Sequence, residues 1–160
     1  LTHADFRQTI LMTNARRTLE WLLGAGVIPI INEIDVVAEV EIRAVQSLGD
    51  NDKLAAIVVG LVRADLLIML TTVDGVREPA ANGRHRRIPY IERVTPRTFR
   101  MVTDEKSALA KGGMATKLKA ARHAARTGCS VVIANGRQSG VLTRIMKGED
   151  VGTLVLAEGV

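Results

Sequence analysis

The sequence predicts an α/β protein: a parallel sheet with helices on both faces. Three observations carry this. Short apolar runs alternate with segments of helical period along most of the 160 residues. One run, Leu66–Leu70, is apolar at every position, as a strand buried on both faces of a parallel sheet is. Hydrophobic residues make up 47% of the chain, enough for a true core, which argues against disorder.

Each element follows in order. Met12, Ala15, Leu19, Leu22 and Leu23 recur at helical spacing opposite Arg16, Arg17 and Glu20, and Gly24 and Gly26 end that helix. Val27–Ile31 reads as a short buried strand. Pro29, which has no N–H to donate, places it at an edge or an outer end. Asn32–Asp35 is then a polar loop beyond the strand. Residues 36–48 fit no single pattern, although Val36–Ile42 has the composition of a hairpin arm. Gly49-Asp50-Asn51-Asp52 opens a helix whose stripe is Leu54, Ala55, Val58, Leu61 and Val62. The strand Leu66–Leu70 ends in the turn Thr71–Gly75. A polar loop over 76–89 holds the basic run Arg84–Arg87. Thr95-Pro96 has the form of an N-cap followed by Pro at the first helical position. A second loop covers 103–111. A glycine-led helix runs to about Thr127 with Met114, Leu118, Ala121 and Ala125 inward, and Gly128 ends it. Val131–Ala134, Val141–Met146 and Thr153–Leu156 complete the chain as strand, helix and strand.

Composition narrows the partners. The net charge of +5 admits nucleic acid, a membrane surface or an anionic small molecule. Aromatic residues are only 2%, which argues against a base-stacking surface and so against nucleic acid. No apolar run approaches a membrane span, and no signal peptide opens the sequence. The single cysteine, Cys129, forms no internal disulfide, and a cytoplasmic setting is the simple inference. It lies between Gly128 and an apolar strand, so a buried structural thiol is expected. With one cysteine and three scattered histidines, no metal-ligand spacing exists.

Ligands of parallel α/β sheets bind beyond the carboxyl ends of the strands. Asn32–Asp35, Thr71–Gly75 and Asn135-Gly136 fall there. Asp50–Asp52 and Gly112–Lys117 fall at helix N-termini, so one composite site is expected. In Gly112-Gly113-Met114-Ala115-Thr116-Lys117, two glycines let a ligand approach the backbone. The helix they open presents unpaired N–H groups and the positive end of its dipole, with Lys111 and Lys117 beside them. Polyphosphate binding needs that combination, although the Walker A spacing is absent and a tight loop with a solvated lysine gives the same pattern. Asp or Asn at a helix start is an ordinary cap. Asp50, Asn51 and Asp52 together exceed what a cap needs. A carboxylate here binds an ammonium group, orients a lysine or holds Mg²⁺. Thr71 and Thr72 cap the strand end or contact a ligand. The run Arg84–Arg87 has the composition of a solvated loop, with no nucleic-acid motif around it.

In order and spacing the blocks Ile28–Asp35, Gly49–Asp52, Leu70–Gly75, Gly112–Lys117 and Val151–Thr153 resemble the glutamate 5-kinases, a branch of the amino acid kinase family. The resemblance covers nearly the whole chain. It implies a three-layer α/β/α sandwich with a mostly parallel sheet. It implies transfer of the ATP γ-phosphate to the side-chain carboxylate of L-glutamate with Mg²⁺, the first step of proline biosynthesis. It further implies a homo-oligomer inhibited by proline. Asp35 and Asn51 would bind glutamate, with Asn32 and Asp50 beside them. Thr71 and Thr72 would contact the nucleotide, and Lys111, Gly112, Gly113, Met114, Ala115, Thr116 and Lys117 would cover its phosphates. Lys117 and Asp52 would be catalytic, the lysine neutralising the transferring phosphoryl group and the aspartate orienting the catalytic lysines.

Some positions depart from the family pattern. Ile34 replaces an asparagine, Thr72 an aspartate and Lys111 a threonine, and 43–48 is slightly longer. The family's N-terminal lysine, first glycine-rich loop and a substrate-binding serine would precede Leu1. The 160 residues are therefore expected to be a partial kinase domain without the PUA domain some members carry, inactive alone. Two other outcomes fit the residues less fully. One is an amino acid kinase acting on aspartate, acetylglutamate or UMP, and the other is a non-catalytic ATP-binding remnant.

Overall fold

A computed structural model describes residues 3–31, 51–80, 84–103 and 113–159. The helices are α1 (His3–Gly24), α2 (Asn51–Val62), α3 (Pro96–Thr103), α4 (Met114–Arg126) and α5 (Val141–Met146). The strands are β1 (Leu66–Thr71), β2 (Arg77–Pro79), β3 (His85–Arg87), β4 (Tyr90–Ile91), β5 (Ser130–Asn135) and β6 (Gly152–Val155).

The main sheet has the order β1-β5-β6-β4. β1 runs parallel to β5 and β4 parallel to β6, so the sheet is mostly parallel, as expected. Within it, β6 is antiparallel to β5, with Ile133 opposite Thr153 and Ala134 opposite Gly152. The alternation of elements does not reveal this, because a short helix such as α5 serves a reversal as well as a crossover. The consequence matters for the site: the start of β6 lies at the same sheet edge as the ends of β1 and β5.

Side-chain alternation along β5 divides the core into two layers. Val131 and Ile133 pack with Ala56 and Val59 of α2 and with Leu118, Ala121, Ala124 and Ala125 of α4. Val132 and Ala134 pack with Val141 and Ile145 of α5 on the other face. Small residues on α4 bring its backbone close to the sheet, which offsets the shortage of aromatic bulk. Gly128 (φ +86°) ends α4 in a left-handed turn. Its N–H donates to Ala125 O and that of Cys129 to Ala124 O, a Schellman closure. Thr95 and Thr98 cap α3 reciprocally, each backbone N–H donating to the other's hydroxyl.

Five expectations need correction. Val27–Ile31 is not a buried strand: it carries no ladder, and Ile28 and Ile30 are 87% and 95% exposed. No described strand lies beside it to supply partners, and Pro29 removes one donor. β1 is not buried on both faces either. Met69 is buried, but Leu70 is exposed, because among the described residues β1 has a neighbour on one edge only. The 76–89 loop contains a hairpin of β2 and β3, in which Arg77 pairs with Arg87 and Pro79 with His85. The stripe of α2 is rotated: Ala56 and Val59 are buried, while Leu54, Ala55, Val58 and Val62 line an open apolar groove of about 360 Å³ with Pro29, Ile31 and Leu67. The helix over Met12–Leu23 forms as expected, but of its stripe only Leu19 is buried, and Leu11 and Trp21 are also exposed.

Candidate phosphate site at two helix N-termini

α2 and α4 lie side by side, and their first turns carry the site. Asp52 occupies the first turn of α2, where the helix dipole favours a carboxylate. Lys117 stands one turn into α4, where the same dipole disfavours a cation. The two side chains meet in a two-pronged ion pair: Lys117 Nζ donates to Asp52 Oδ1 at 2.8 Å and to Oδ2 at 3.0 Å. Both are largely buried, at 15% and 12% exposed, so water screens the pair weakly. The pair spans 65 positions of sequence, so it holds the two helix starts at a fixed separation.

Gly113 precedes α4 in an extended conformation, and no side chain caps the helix. Its carbonyl accepts from the Thr116 and Lys117 N–H groups, and among the described residues no backbone carbonyl takes the Met114 and Ala115 amides, the forward donors of the turn. Donors of this kind with an adjacent lysine suit an oxyanion.

The second half of the expected site is at the sheet edge. Thr71 pairs with Asn135 across β1 and β5, and the Gly136 N–H donates to Thr71 O at 2.9 Å. Thr71 is half-buried and Thr72 exposed. Asn135 Oδ1 is taken by the Arg137 N–H. Asn51 opens α2, exposed at the rim of the apolar groove. Asn32, Asp35, Asp50, Lys111 and Gly112 lie outside the described residues, as do Asp104–Ala110 of the expected 103–111 loop.

Two ion pairs near this edge are not evident from the motifs. Asp74 accepts from Arg77 Nε at 2.8 Å, and this guanidinium holds its carboxyl below the usual carboxylate range. Arg87 donates to Asp150 at 2.7 Å and to the Gly152 carbonyl. That contact raises the Arg87 guanidinium and lowers the Asp150 carboxyl. Arg86 pairs with Glu78 at 2.7 Å. The basic run 84–87 is therefore largely a hairpin strand and not a loop; Arg86 and Arg87 have carboxylate partners, and 84–86 stay exposed to solvent as expected.

The described residues offer Mg²⁺ no ligand set of their own. Among the described residues no group of three carboxylate, imidazole or thiol ligands converges, and Asp52 already binds an ammonium group through both oxygens. Cys129 is fully buried, and burial pushes its thiol up, so it is structural as expected.

Residues 1–135 match the model of the amino acid kinase family. Three curated proteins named glutamate 5-kinase align along almost all of the chain. That of Methylococcus capsulatus is 48% identical over 99% of the chain. That of Deinococcus radiodurans is 44% identical over 99%, and that of Trichlorobacter lovleyi 43% over 98%. The chain spans 42%, 43% and 41% of their respective lengths. A uridylate kinase structure from Archaeoglobus fulgidus superposes with a TM-score of 0.49 at 19% identity, covering 96% of this chain and 74% of that one, a likeness too loose to carry an argument. With the family model matched over residues 1–135 of the 160, the chain belongs to the amino acid kinase family.

Proposed function

We propose that the chain is the nucleotide-handling part of a glutamate 5-kinase, which transfers the γ-phosphate of ATP to the γ-carboxylate of L-glutamate. The observation that carries this is the Lys117–Asp52 pair at the converging starts of α2 and α4. The relatives' names supply the substrate.

The chemistry is consistent with the residues. A carboxylate is ionised near neutral pH, so it attacks phosphorus without a general base. The obstacle is repulsion between two anions, and catalysis consists of alignment and charge neutralisation. In the proposed reaction the Met114 and Ala115 amides and the dipole of α4 face the phosphates. Lys117 neutralises charge on the equatorial oxygens of the transferring group. Asp52 holds the Lys117 ammonium in place until phosphate competes for it. Thr71 and Thr72 contact the nucleotide, and Lys111 through Thr116 cover its phosphates. Asn51, with Asn32, Asp35 and Asp50, binds glutamate. Mg²⁺, when bound with the nucleotide, would supply further charge neutralisation. A cytoplasmic enzyme, assembled as a homo-oligomer and inhibited by proline, completes the proposal. The exposure of the large apolar side chains Trp21, Ile28 and Ile30 supports a partner surface of that kind.

Binding of MgATP, followed by calorimetry on the chain and on Lys117→Met, tests this reading. MgATP binding that the substitution weakens at least tenfold supports it. Equal binding by both proteins, or preferential binding of UMP over glutamate at the acceptor site, refutes it.

A further inference from the structure

We propose that Thr153 is a positioning residue for the nucleotide subsite, setting the height of the turn that follows Thr71 and carries Thr72 over the sheet edge. Thr153 is fully buried in a strand of otherwise apolar character. Its hydroxyl joins three segments. It accepts the Val76 N–H at 2.8 Å, 77 positions away, and donates to the Ile88 carbonyl at 2.6 Å. Val76 is the first residue after the turn that follows β1, and Ile88 the first after β3.

The turn is pressed onto this hydroxyl. Gly75 adopts φ +140°, and a Cβ there would lie 2.4 Å from Thr153 Oγ1 and 3.0 Å from Thr153 N. The stem of Arg87 closes the other side, 3.3 Å from the same point. Arg77 ties Asp74, one residue upstream, to the hairpin. The far end of the turn is therefore fixed at residues 74–76, while its near end is fixed by the Gly136–Thr71 hydrogen bond. Thr72 and Val73 hang between two anchors, and one of these is the Thr153 hydroxyl. A merely apolar residue in β6 would fill the same space, but it would leave the Val76 N–H and the Ile88 carbonyl without this partner. The register between β5 and β6 makes the arrangement possible, because antiparallel pairing brings the start of β6 to the edge where β1 ends.

The inference rests on the assignment of Thr71 and Thr72 to the nucleotide. It is tested by Thr153→Val, which keeps shape and removes the hydroxyl, and Thr153→Ser, which keeps the hydroxyl. Ile145→Ala, a core change on the opposite face of the sheet, serves as a control for lost stability alone. MgATP affinity and amide exchange at Val76 are measured below each variant's unfolding transition. The expected result is MgATP binding roughly tenfold weaker and Val76 exchange faster in Thr153→Val. Thr153→Ser should restore both, and Ile145→Ala should leave both unchanged. If Thr153→Val fails to fold, Gly75→Ala perturbs the same contact from the turn side and should weaken MgATP binding likewise. Undiminished MgATP affinity in Thr153→Val, or an equal loss in Ile145→Ala, overturns the positioning role. Absence of MgATP binding by the unsubstituted chain overturns the nucleotide assignment itself, and this inference with it.

Discussion

Removing the two members of the Lys117–Asp52 pair should have unequal effects, and the inequality can be worked from their positions. At 2.8–3.0 Å, two unit charges attract by about 6 kcal/mol at an effective dielectric constant of about 20. Most of this is offset by the loss of water around both groups, since each retains only a small exposed fraction. A coupling of about 1.5 kcal/mol remains. The helix dipoles then separate the partners. Asp52 in the first turn of α2 keeps a favourable field of about 0.5 kcal/mol when Lys117 is removed. Lys117, left alone near the start of α4, has no such compensation. Asp52→Asn should therefore destabilise the chain by about 2.5 kcal/mol and Lys117→Met by about 1 kcal/mol, and the double variant by about 2 kcal/mol. Urea unfolding of the four proteins at low salt measures all three differences. Additive single effects, with coupling under about 0.3 kcal/mol, would show that the pair is incidental. A Lys117→Met variant costlier than Asp52→Asn would refute the dipole argument.

Gly152→Ala places a Cβ 2.5 Å from the Ile133 carbonyl oxygen and 2.9 Å from the Ala134 Cβ, so the β5–β6 ladder must part. A loss of about 2–3 kcal/mol in unfolding free energy is expected; a neutral result would contradict the close strand approach. Arg77→Ala should lower stability by about 0.5 kcal/mol at neutral pH, the scale of an exposed pair. The folded Asp74 carboxyl lies below its unfolded value of about 3.9, so this contribution is present above about pH 4 and is lost as pH falls through the lowered folded value. The Arg77→Ala difference should accordingly vanish in acid, and a difference that grows there would reverse the sign of the argument. Cys129 should resist a thiol reagent in the folded chain and react at the rate of unfolding. Rapid labelling under native conditions would show that α4 and β5 do not pack as described.

The architecture was legible where periodicity is strong and local. α4 announces itself by small apolar residues at helical spacing, a glycine start and a Gly128 stop. The centre of β5, Val131–Ala134, is a pure apolar run. The Asp52–Lys117 pair was legible only through the resemblance, since nothing local in either motif selects its partner 65 positions away. The hairpin of β2 and β3 escaped because its strands are polar and three residues long, below the length at which alternation is readable. Val27–Ile31 has strand composition, but a strand needs a partner to hydrogen-bond, and composition is silent about partners. Thr153 was invisible as a contact. Its signal, a polar residue opening an apolar strand directly after glycine, becomes specific only once the antiparallel register brings it to Gly75.

The most direct test of the central claim is calorimetric titration of the chain with MgATP at low ionic strength, alongside Lys117→Met. The account predicts saturable binding at one site that Lys117→Met weakens at least tenfold. No heat of binding, or binding indifferent to Lys117, would contradict it.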